Sequence, residues 1–141
     1  MRSTVFSILC VLYALIACVS AKKKSSGGFK RGIATAYSGA GQMNRTGRNA
    51  CGFNPKSLGK KWNTYFVAMN EGDFNKAGRP CGKCIEVKGN SGKSVYAKIV
   101  DICPKKYCKS GHVDLSSPAL KMATGYSWDK KPVQWRFASC K

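Results

Sequence analysis

Residues 94–104 read SVYAKIVDICP, and Cys108 and then GHVDLS at residues 111–116 follow them. The β-branched and aromatic residues over 94–100 are typical of a β-strand, and this strand ends at the carboxylate of Asp101. After the cysteines, a second carboxylate, Asp114, stands just before the start of a helix. A small cysteine loop is therefore flanked by two carboxylates, each next to a regular element.

Short β-type runs separated by turn clusters recur along the rest of the chain. The cluster KGNSG at residues 88–92 is typical of a hairpin loop. Many short strands with little helix favour a barrel or a sandwich, and a closed barrel leaves no exposed sheet edge. No internal repeat is visible. The predicted strands lie at residues 32–37, 65–69, 84–87, 94–100 and 133–137.

One helix is predicted near residue 120. Ser117 is its candidate cap, Pro118 suits the first helical position, residues 119–124 continue the helix, and Gly125 ends it. A shorter helical turn is predicted at residues 71–75.

The order and spacing of several segments resemble the expansin, barwin-like and rare-lipoprotein-A group of double-psi β-barrels. In that group a strand ending in aspartate and a later Asp-Leu-Ser line one open groove. The resemblance runs from Gly32 to Cys140 and includes GIATAY, NACGF, FVAMN, CGKCIEV and VQWRF in chain order. It implies an all-β fold, a six-stranded double-psi β-barrel with one or two short helices, stapled by three disulfides. Within that group the chain resembles the single-domain loosenin-like or rare-lipoprotein-A-like secreted proteins.

The N-terminus predicts export. Met1-Arg2 precedes an apolar stretch and small residues up to Ala21, which is typical of a signal peptide. We therefore predict a signal peptide over 1–21, a flexible basic arm over 22–28 and one expansin-like domain over 29–141, in a secreted, extracellular protein. The alternatives are a retained signal anchor, or lipidation of Cys18 at the lipobox-like residues 15–18.

The cysteines indicate disulfides rather than a metal. Eight are present, and Cys10 and Cys18 leave with the signal peptide, so six remain. An even number in a small exported domain favours three disulfides but leaves 15 pairings open. The resemblance implies Cys51–Cys81, Cys84–Cys140 and Cys103–Cys108. Half of a zinc site or a redox pair at Cys81-x-x-Cys84 is the alternative, although His112 is the sole histidine.

The charge is strongly positive, with 25 lysines and arginines against 6 acidic residues and a formal net charge of +19. Such a field attracts polyanions, including acidic wall glycans, anionic membranes and nucleic acid. The alternative is that the charge serves solubility alone.

The resemblance also bears on catalysis. Glycoside hydrolysis ordinarily needs two carboxyl groups. Asp114 matches the acid of the family 45 endoglucanases, whose base lies in a Thr-x-Tyr-x-Asp motif, but residues 35–39 read TAYSG and place Gly39 at the base position. Asp101 matches an aspartate of the expansins that supports the partner carboxylate. We therefore predict that the protein is not an enzyme. The alternative is a weak lytic activity that uses Asp101. The alternative role for Asp114 is structural: it would cap the helix that follows.

The candidate binding residues follow from the same groove. Thr35, Tyr37, Asp101 and Asp114 are predicted to form its floor, with Tyr107, Tyr126 and Trp128 in loops extending it. Ordinary barrel packing is the alternative for the three loop aromatics, and Trp62 and Trp135 are predicted to be core residues.

We expect a secreted monomer that binds cell-wall polysaccharide such as cellulose, chitin or acidic wall glycans and loosens it without hydrolysis. No cofactor, metal, membrane span or specific nucleic acid is expected. Nucleic-acid cleavage at His112 is disfavoured, because such chemistry usually recruits more than one group titrating near neutrality. The rival class is a protein-binding module, either a protease inhibitor or a host-directed effector.

Overall fold

The computed structural model describes residues 27–37 and 49–141. Several predictions fall outside these residues: the signal peptide, the lipidation of Cys18, the arm up to residue 26, and the glycine at position 39. No helix within the described ranges is long and apolar enough to span a membrane.

The six strands of the described residues close into one barrel in the order β1-β5-β2-β4-β3-β6. β1 pairs parallel with β5 and β2 pairs parallel with β4, whereas the other four pairings are antiparallel. The predicted six-stranded barrel is confirmed. In chain order the elements are β1 Lys30–Ala36, α1 Pro55–Thr64, β2 Phe66–Asn70, α2 Glu71–Lys76, β3 Cys84–Lys88, β4 Ser94–Cys103, β5 Val113–Leu115, α3 Ser117–Thr124 and β6 Lys131–Ala138.

Two elements were not predicted from local sequence. The α1 sequence PKSLGKKWNT contains a break at Gly59 (φ 70°, ψ 164°) and few apolar residues, so the segment was not recognised as a helix from the sequence. Leu58 instead packs with Phe66 and Val100 against the barrel. β5 has three residues, too few to show an alternating pattern, and it forms because strands on both sides pair with it.

The start of α3 differs from the prediction. Its N-cap is Ser116 rather than Ser117, and no side chain caps it. The Ser116 hydroxyl donates to the Thr64 carbonyl (2.6 Å) and accepts from the Phe66 N–H (3.4 Å), so it ties the helix start to β2. The end of the helix is as predicted, because Gly125 adopts the left-handed conformation (φ 86°) that favours glycine.

The main core fills the barrel with buried aliphatic side chains from all six strands and from α3. Trp135 is a core residue as predicted, 4% exposed, and its indole N–H donates to the Gly111 carbonyl at 2.8 Å. The prediction for Trp62 is confirmed only in part. Trp62 is half-buried beside the smaller cluster under α1, and the Lys61 and Lys98 ammonium groups lie 5.1 and 4.9 Å from its ring centroid. Both ammonium groups therefore lie within cation–π distance of the ring.

Three disulfides staple the barrel: Cys51–Cys81, Cys84–Cys140 and Cys103–Cys108. This is the pairing that the resemblance implies. Because Cys81 and Cys84 are each bonded to a distant partner, they form neither a shared redox bond nor half of a zinc site. The Cys103–Cys108 bond closes the short loop between β4 and β5.

Candidate functional site

Four neighbouring strands bring the predicted groove residues into one row. Thr35 of β1 is in register with Asp114 of β5, Asp114 is in register with Ala68 of β2, and Ala68 is in register with Asp101 of β4. The small side chain of Ala68 separates the two carboxylates. The barrel wall therefore gathers carboxylates that lie 13 positions apart in the sequence.

A β-bulge turns Asp101 toward this row. The β2–β4 register passes from Val67↔Ile99 to Ala68↔Asp101, so Val100 is an extra residue. Ile99 packs in the main core, whereas Val100 packs in the outer cluster under α1. Regular alternation would then return Asp101 to the barrel interior. The extra residue instead aligns it with Ala68, on the same outer face as Asp114.

Asp114 lies between Val113 and Leu115, which are both fully buried in the core. Its Oδ1 accepts a hydrogen bond from the Thr35 hydroxyl at 2.6 Å, and its Oδ2 accepts none from the residues that the structure describes. The capping alternative is wrong, because the carboxylate is bonded across strands and Ser116 occupies the N-cap. Burial raises the pKa of Asp114; the Thr35 hydrogen bond lowers it in part, and the charge of Asp101 raises it further.

Asp101 is held by three donors. Its Oδ2 accepts from the Tyr37 hydroxyl at 2.7 Å, and its Oδ1 accepts from the backbone N–H groups of Ala50 and Ile102, both at 2.8 Å. Burial, the hydrogen bond to Asp101 and the negative charges of Asp101 and Asp114 raise the pKa of Tyr37 well above its usual range. Tyr37 therefore remains a protonated donor. Its ring also packs edge-on against Phe66, with centroids 5.3 Å apart.

The two carboxylates thus differ in their freedom to meet a ligand. Asp101 is committed to the protein on both oxygens, which suits a positioning role. Asp114 keeps one oxygen without a described donor, in a half-buried place where a hydrogen bond is stronger than in water. The row offers one acceptor for ligand hydroxyls beside a rigid Tyr37–Asp101 pair.

The three loop aromatics are exposed rather than packed in the barrel. Tyr107, Tyr126 and Trp128 are 72%, 57% and 67% exposed, so the packing alternative is wrong for them. Tyr107 lies in the disulfide-closed loop after β4. Tyr126 and Trp128 lie between α3 and β6, and β6 starts with Lys131 in register with Ala34. That loop therefore lies beside the end of β1 that carries Thr35.

Sequence reasoning missed two side chains that fix the loop before β5. The Asp73 carboxylate accepts from the Gly111 N–H (2.6 Å), the Ser110 hydroxyl (3.1 Å) and the Lys30 ammonium (2.5 Å). The Asn70 side-chain amide donates to the Cys108 carbonyl at 2.6 Å. Burial would raise the pKa of Asp73, but these hydrogen bonds and the charge of Lys30 hold it below its usual value. The only local signal was the position of Asn70, three residues before Asp73. The Asn70 side-chain oxygen accepts from the Asp73 N–H at 3.0 Å and so caps the start of α2.

His112, the candidate residue for nucleic-acid cleavage, makes no side-chain hydrogen bond to the row. Its carbonyl accepts from the Asn70 N–H at 3.3 Å, and its imidazole makes no hydrogen bond to Asp114. Within the described ranges, no group of three or more histidine, cysteine, aspartate and glutamate side chains could hold a metal ion.

Comparison with known proteins agrees with this fold. Expansin-A26 of Oryza sativa subsp. japonica is 30% identical over 111 residues, which cover 77% of this chain. The apo expansin of Clavibacter michiganensis superposes with a TM-score of 0.64, at 24% sequence identity over 81% of this chain. A mutant of that expansin in complex with cellohexaose superposes with a TM-score of 0.63, at 23% sequence identity over 79% of this chain. This chain has the expansin-like double-psi β-barrel fold. It spans 37% of the rice expansin and about half, 52% and 50%, of the two bacterial chains. No family model matches it.

The expansin-like barrel also resembles proteins of other kinds. The Streptomyces papain inhibitor superposes with a TM-score of 0.57 at 24% identity, over 79% of this chain and 96% of that one. A GH45 endoglucanase in complex with cellobiose superposes with a TM-score of 0.51 at 19% identity, over 82% and 83% of the two chains. These likenesses concern the fold alone.

Proposed function

We propose that this expansin-like protein is secreted and binds cell-wall polysaccharide, such as cellulose or chitin, along the Thr35–Asp114–Ala68–Asp101 row. In this proposal it loosens noncovalent contacts between polymer chains without cleaving them. The observation that carries the proposal is the pair of unlike carboxylates on one outer wall of the barrel, one committed to the protein and one with an oxygen left for a ligand. The bacterial expansin with the same fold that is complexed with cellohexaose supports it.

The mechanism follows from the hydrogen bonds of the row. A glycan chain lying across β1, β5, β2 and β4 places sugar hydroxyls against Asp114 Oδ2, and the Thr35 hydroxyl holds the other oxygen in place. The Tyr37–Asp101 pair keeps the neighbouring wall rigid. Exposed aromatic rings at 107, 126 and 128 offer flat faces for sugar rings. Each hydrogen bond made here replaces one between polymer chains, and that exchange loosens the assembly.

Binding without hydrolysis is part of the proposal. Cleavage of a glycosidic bond ordinarily needs an acid and a second carboxylate that activates water or attacks carbon. Asp114 has the raised pKa that suits an acid. Asp101 already accepts three hydrogen bonds from the protein, which makes it a poor base. The GH45 endoglucanase with the same fold favours one alternative, a weak lytic activity that would appear as new reducing ends.

Export is supported by the disulfides. The three bonds form and persist in oxidising compartments and are rare in the cytosol of most organisms. They agree with the signal peptide that the sequence predicts.

The second candidate is a protein-binding module. Two observations favour it: the exposed Tyr126 and Trp128 on one loop, and a papain inhibitor with the same fold over 96% of its length. Exposed aromatics on a rigid scaffold are typical anchors of protein interfaces.

A titration followed by NMR separates the two candidates. We expect cellohexaose or chitohexaose to shift the backbone amide signals of Thr35, Ala68, Asp101 and Asp114, while the protein leaves papain active. Shifts confined to the 126–130 loop, together with inhibition of papain, would assign the protein to the second class.

Replacing Thr35 with valine tests the electrostatics of the row. The change removes the hydrogen bond that lowers the pKa of Asp114, so the pKa should rise further, because burial and the charge of Asp101 then act on the carboxyl without that opposing contact. The measurement is a carbon-13 NMR titration of the Asp114 carboxyl. The matched control is Thr64→Val, whose hydroxyl donates to the Lys60 carbonyl on the exposed side of α1.

The same substitution predicts a pH dependence of stability. Because the pKa of Asp114 is raised by folding, its protonated form stabilises the fold. That contribution is fully present below about pH 3.9, the ordinary aspartate value, and is lost as pH rises through the raised value. In T35V the loss should move to higher pH. An unchanged Asp114 pKa in T35V contradicts the assignment.

A further inference from the structure

A second row of side chains crosses the barrel on the wall opposite the groove. Arg31 of β1 is in register with Gln134 of β6, and Gln134 is in register with Lys88 of β3. Both pairings are antiparallel, so the Cβ atoms of directly opposite residues lie about 4.5–5.5 Å apart. In the closed strand order, β6 and β3 lie across the barrel from β5 and β2. The second row and the groove row therefore occupy different walls.

The β6 and β3 members of this row point away from the core. Gln134 lies between Val133 and Trp135, which are both buried in the main core, and successive side chains of a strand point to opposite faces. Lys88 follows the fully buried Val87 and points outward for the same reason.

Arg31 completes the row from β1. It lies four positions before Thr35 of the groove row, so both side chains are on the outer face of that strand, about 13 Å apart. Arg31 and Gln134 are exposed, and neither side chain makes a hydrogen bond or an ion pair with the residues that the structure describes. The polar groups of both side chains are therefore available to a ligand.

A cleft of about 360 Å³ lies over this row. Ligand sites usually have volumes of about 300–1,000 Å³. The hairpin loop between β3 and β4 contributes Asn90 to the lining, and β6 contributes Pro132. The cleft thus combines cationic donors, two side-chain amides and one apolar surface.

The cleft is positively charged, because Arg31 and Lys88 line it and none of the described lining residues is acidic. The Lys88 ammonium lies 3.6 Å from Glu86 Oε1 and 4.8 Å from the Phe29 ring centroid, and these contacts hold it in place. Glu86 is paired more closely with Arg136, whose Nε and Nη2 donate to its Oε2 at 2.8 and 2.7 Å. The charge of Arg31 and much of that of Lys88 are therefore left without a counter-charge.

The donors of the cleft match an acidic sugar better than simpler ligands. A guanidinium presents a planar fork of donors that fits a carboxylate, and an ammonium adds a point charge. The amides of Gln134 and Asn90 can donate and accept, as sugar hydroxyls require. A bare anion would leave the amides and Pro132 without a role, and a neutral sugar would leave the two cations without one.

We infer that this cleft binds a uronate residue of an acidic polysaccharide. The sugar carboxylate would meet Arg31, with Lys88 beside it, and the sugar hydroxyls would meet Gln134 and Asn90. The inference concerns another wall of the barrel and other residues than the groove, so it does not depend on the proposed function. Sites on two walls would let one molecule hold two polymer chains of different chemistry.

The test is calorimetric titration with trigalacturonate at physiological salt, with cellotriose as the uncharged probe and inorganic sulfate as the bare anion. The Arg31→Gln variant removes one exposed cation, and we expect it to weaken trigalacturonate binding roughly tenfold. The Gln134→Ala variant removes an exposed neutral amide. We expect a loss of about threefold, because a neutral hydrogen bond is about half as strong as a charge-assisted one.

The matched control is Arg79→Gln, an exposed arginine before the end of β3 that is farther from Lys88. It removes the same charge and should change the dissociation constant less than twofold. Weakening by R31Q and Q134A, but not by R79Q or by the groove variant D114N, supports the cleft whether or not the groove binds cellulose or chitin.

Four results would overturn the inference. Equal weakening by R31Q and R79Q would indicate diffuse charge attraction. Loss of trigalacturonate binding in D114N would place the ligand in the groove. Binding of cellotriose or sulfate as tight as that of trigalacturonate would remove the uronate assignment, and so would wild-type protein that does not bind trigalacturonate.

Discussion

The Asp114→Asn variant is expected to lose loosening activity at least tenfold while it keeps the wild-type fold. Asparagine has nearly the same shape and its carbonyl oxygen still accepts from the Thr35 hydroxyl, as Asp114 Oδ1 does at 2.6 Å. The amide nitrogen, a donor without negative charge, replaces the oxygen left for sugar hydroxyls. A lost hydrogen bond to a charged group corresponds to about 1.5–3 kcal/mol, hence the factor of ten or more. The measurement is the creep rate of cellulose paper under constant load.

The matched control is Asp129→Asn, an aspartate whose side chain is 65% exposed on the loop after α3. It removes the same charge without touching the row, so its creep rate should equal that of the wild type. Circular dichroism and thermal unfolding establish that both variants fold. A folded D114N protein with full loosening activity would remove Asp114 from the mechanism.

The Gly32→Ala variant is expected to lose about 3 kcal/mol or more of unfolding free energy, at the upper end of what overpacking costs. A Cβ at Gly32 would lie 1.8 Å from the Gly111 carbonyl oxygen. Gly111 is not free to move, because its N–H donates to Asp73 and its carbonyl accepts from the Trp135 indole. Its own φ of +85° and the 2.5 Å from a Cβ there to the Arg31 carbonyl oxygen exclude a side chain on that side too. The close approach of β1 to the loop before β5 therefore requires glycine at both positions.

Urea unfolding with the disulfides intact measures this effect. The control is Gly27→Ala, where an added Cβ meets nothing within 4 Å, and its stability should lie within about 0.5 kcal/mol of the wild type. If G32A unfolds at the wild-type urea concentration, the close approach of the two segments is wrong.

The strands of the barrel were largely predictable because their residues alternate locally. Runs such as residues 94–100 and 133–137 carry the pattern of a half-buried strand, and the hairpin loop at residues 88–92 has the turn residues that join β3 and β4. β5 was not visible in the same way. Val113 and Leu115 are buried because β1 and β2 pair on either side of them, and no three-residue window contains that information.

The sequence predicted that the residues of the candidate site lie near one another, but it did not predict their geometry. The motif around Asp101 and Asp114 indicated two groove carboxylates. Their different environments depend on the bulge at Val100, on the Ala50 N–H and on the register of four strands. The Asp73 network depends on contacts between residues far apart in the sequence, so no local pattern predicts it.

The measurement that tests the central proposal most directly is incubation of the mature protein with insoluble cellulose and chitin over a range of salt concentrations. The bound fraction and the released reducing sugar are recorded together. The full chain carries a formal net charge of +19, and charge attraction alone would fall away in 1 M salt, where the screening length is about 3 Å. We predict binding that partly survives 1 M NaCl and releases no reducing sugar. Binding abolished by salt, or accompanied by new reducing ends, would contradict a non-hydrolytic polysaccharide groove.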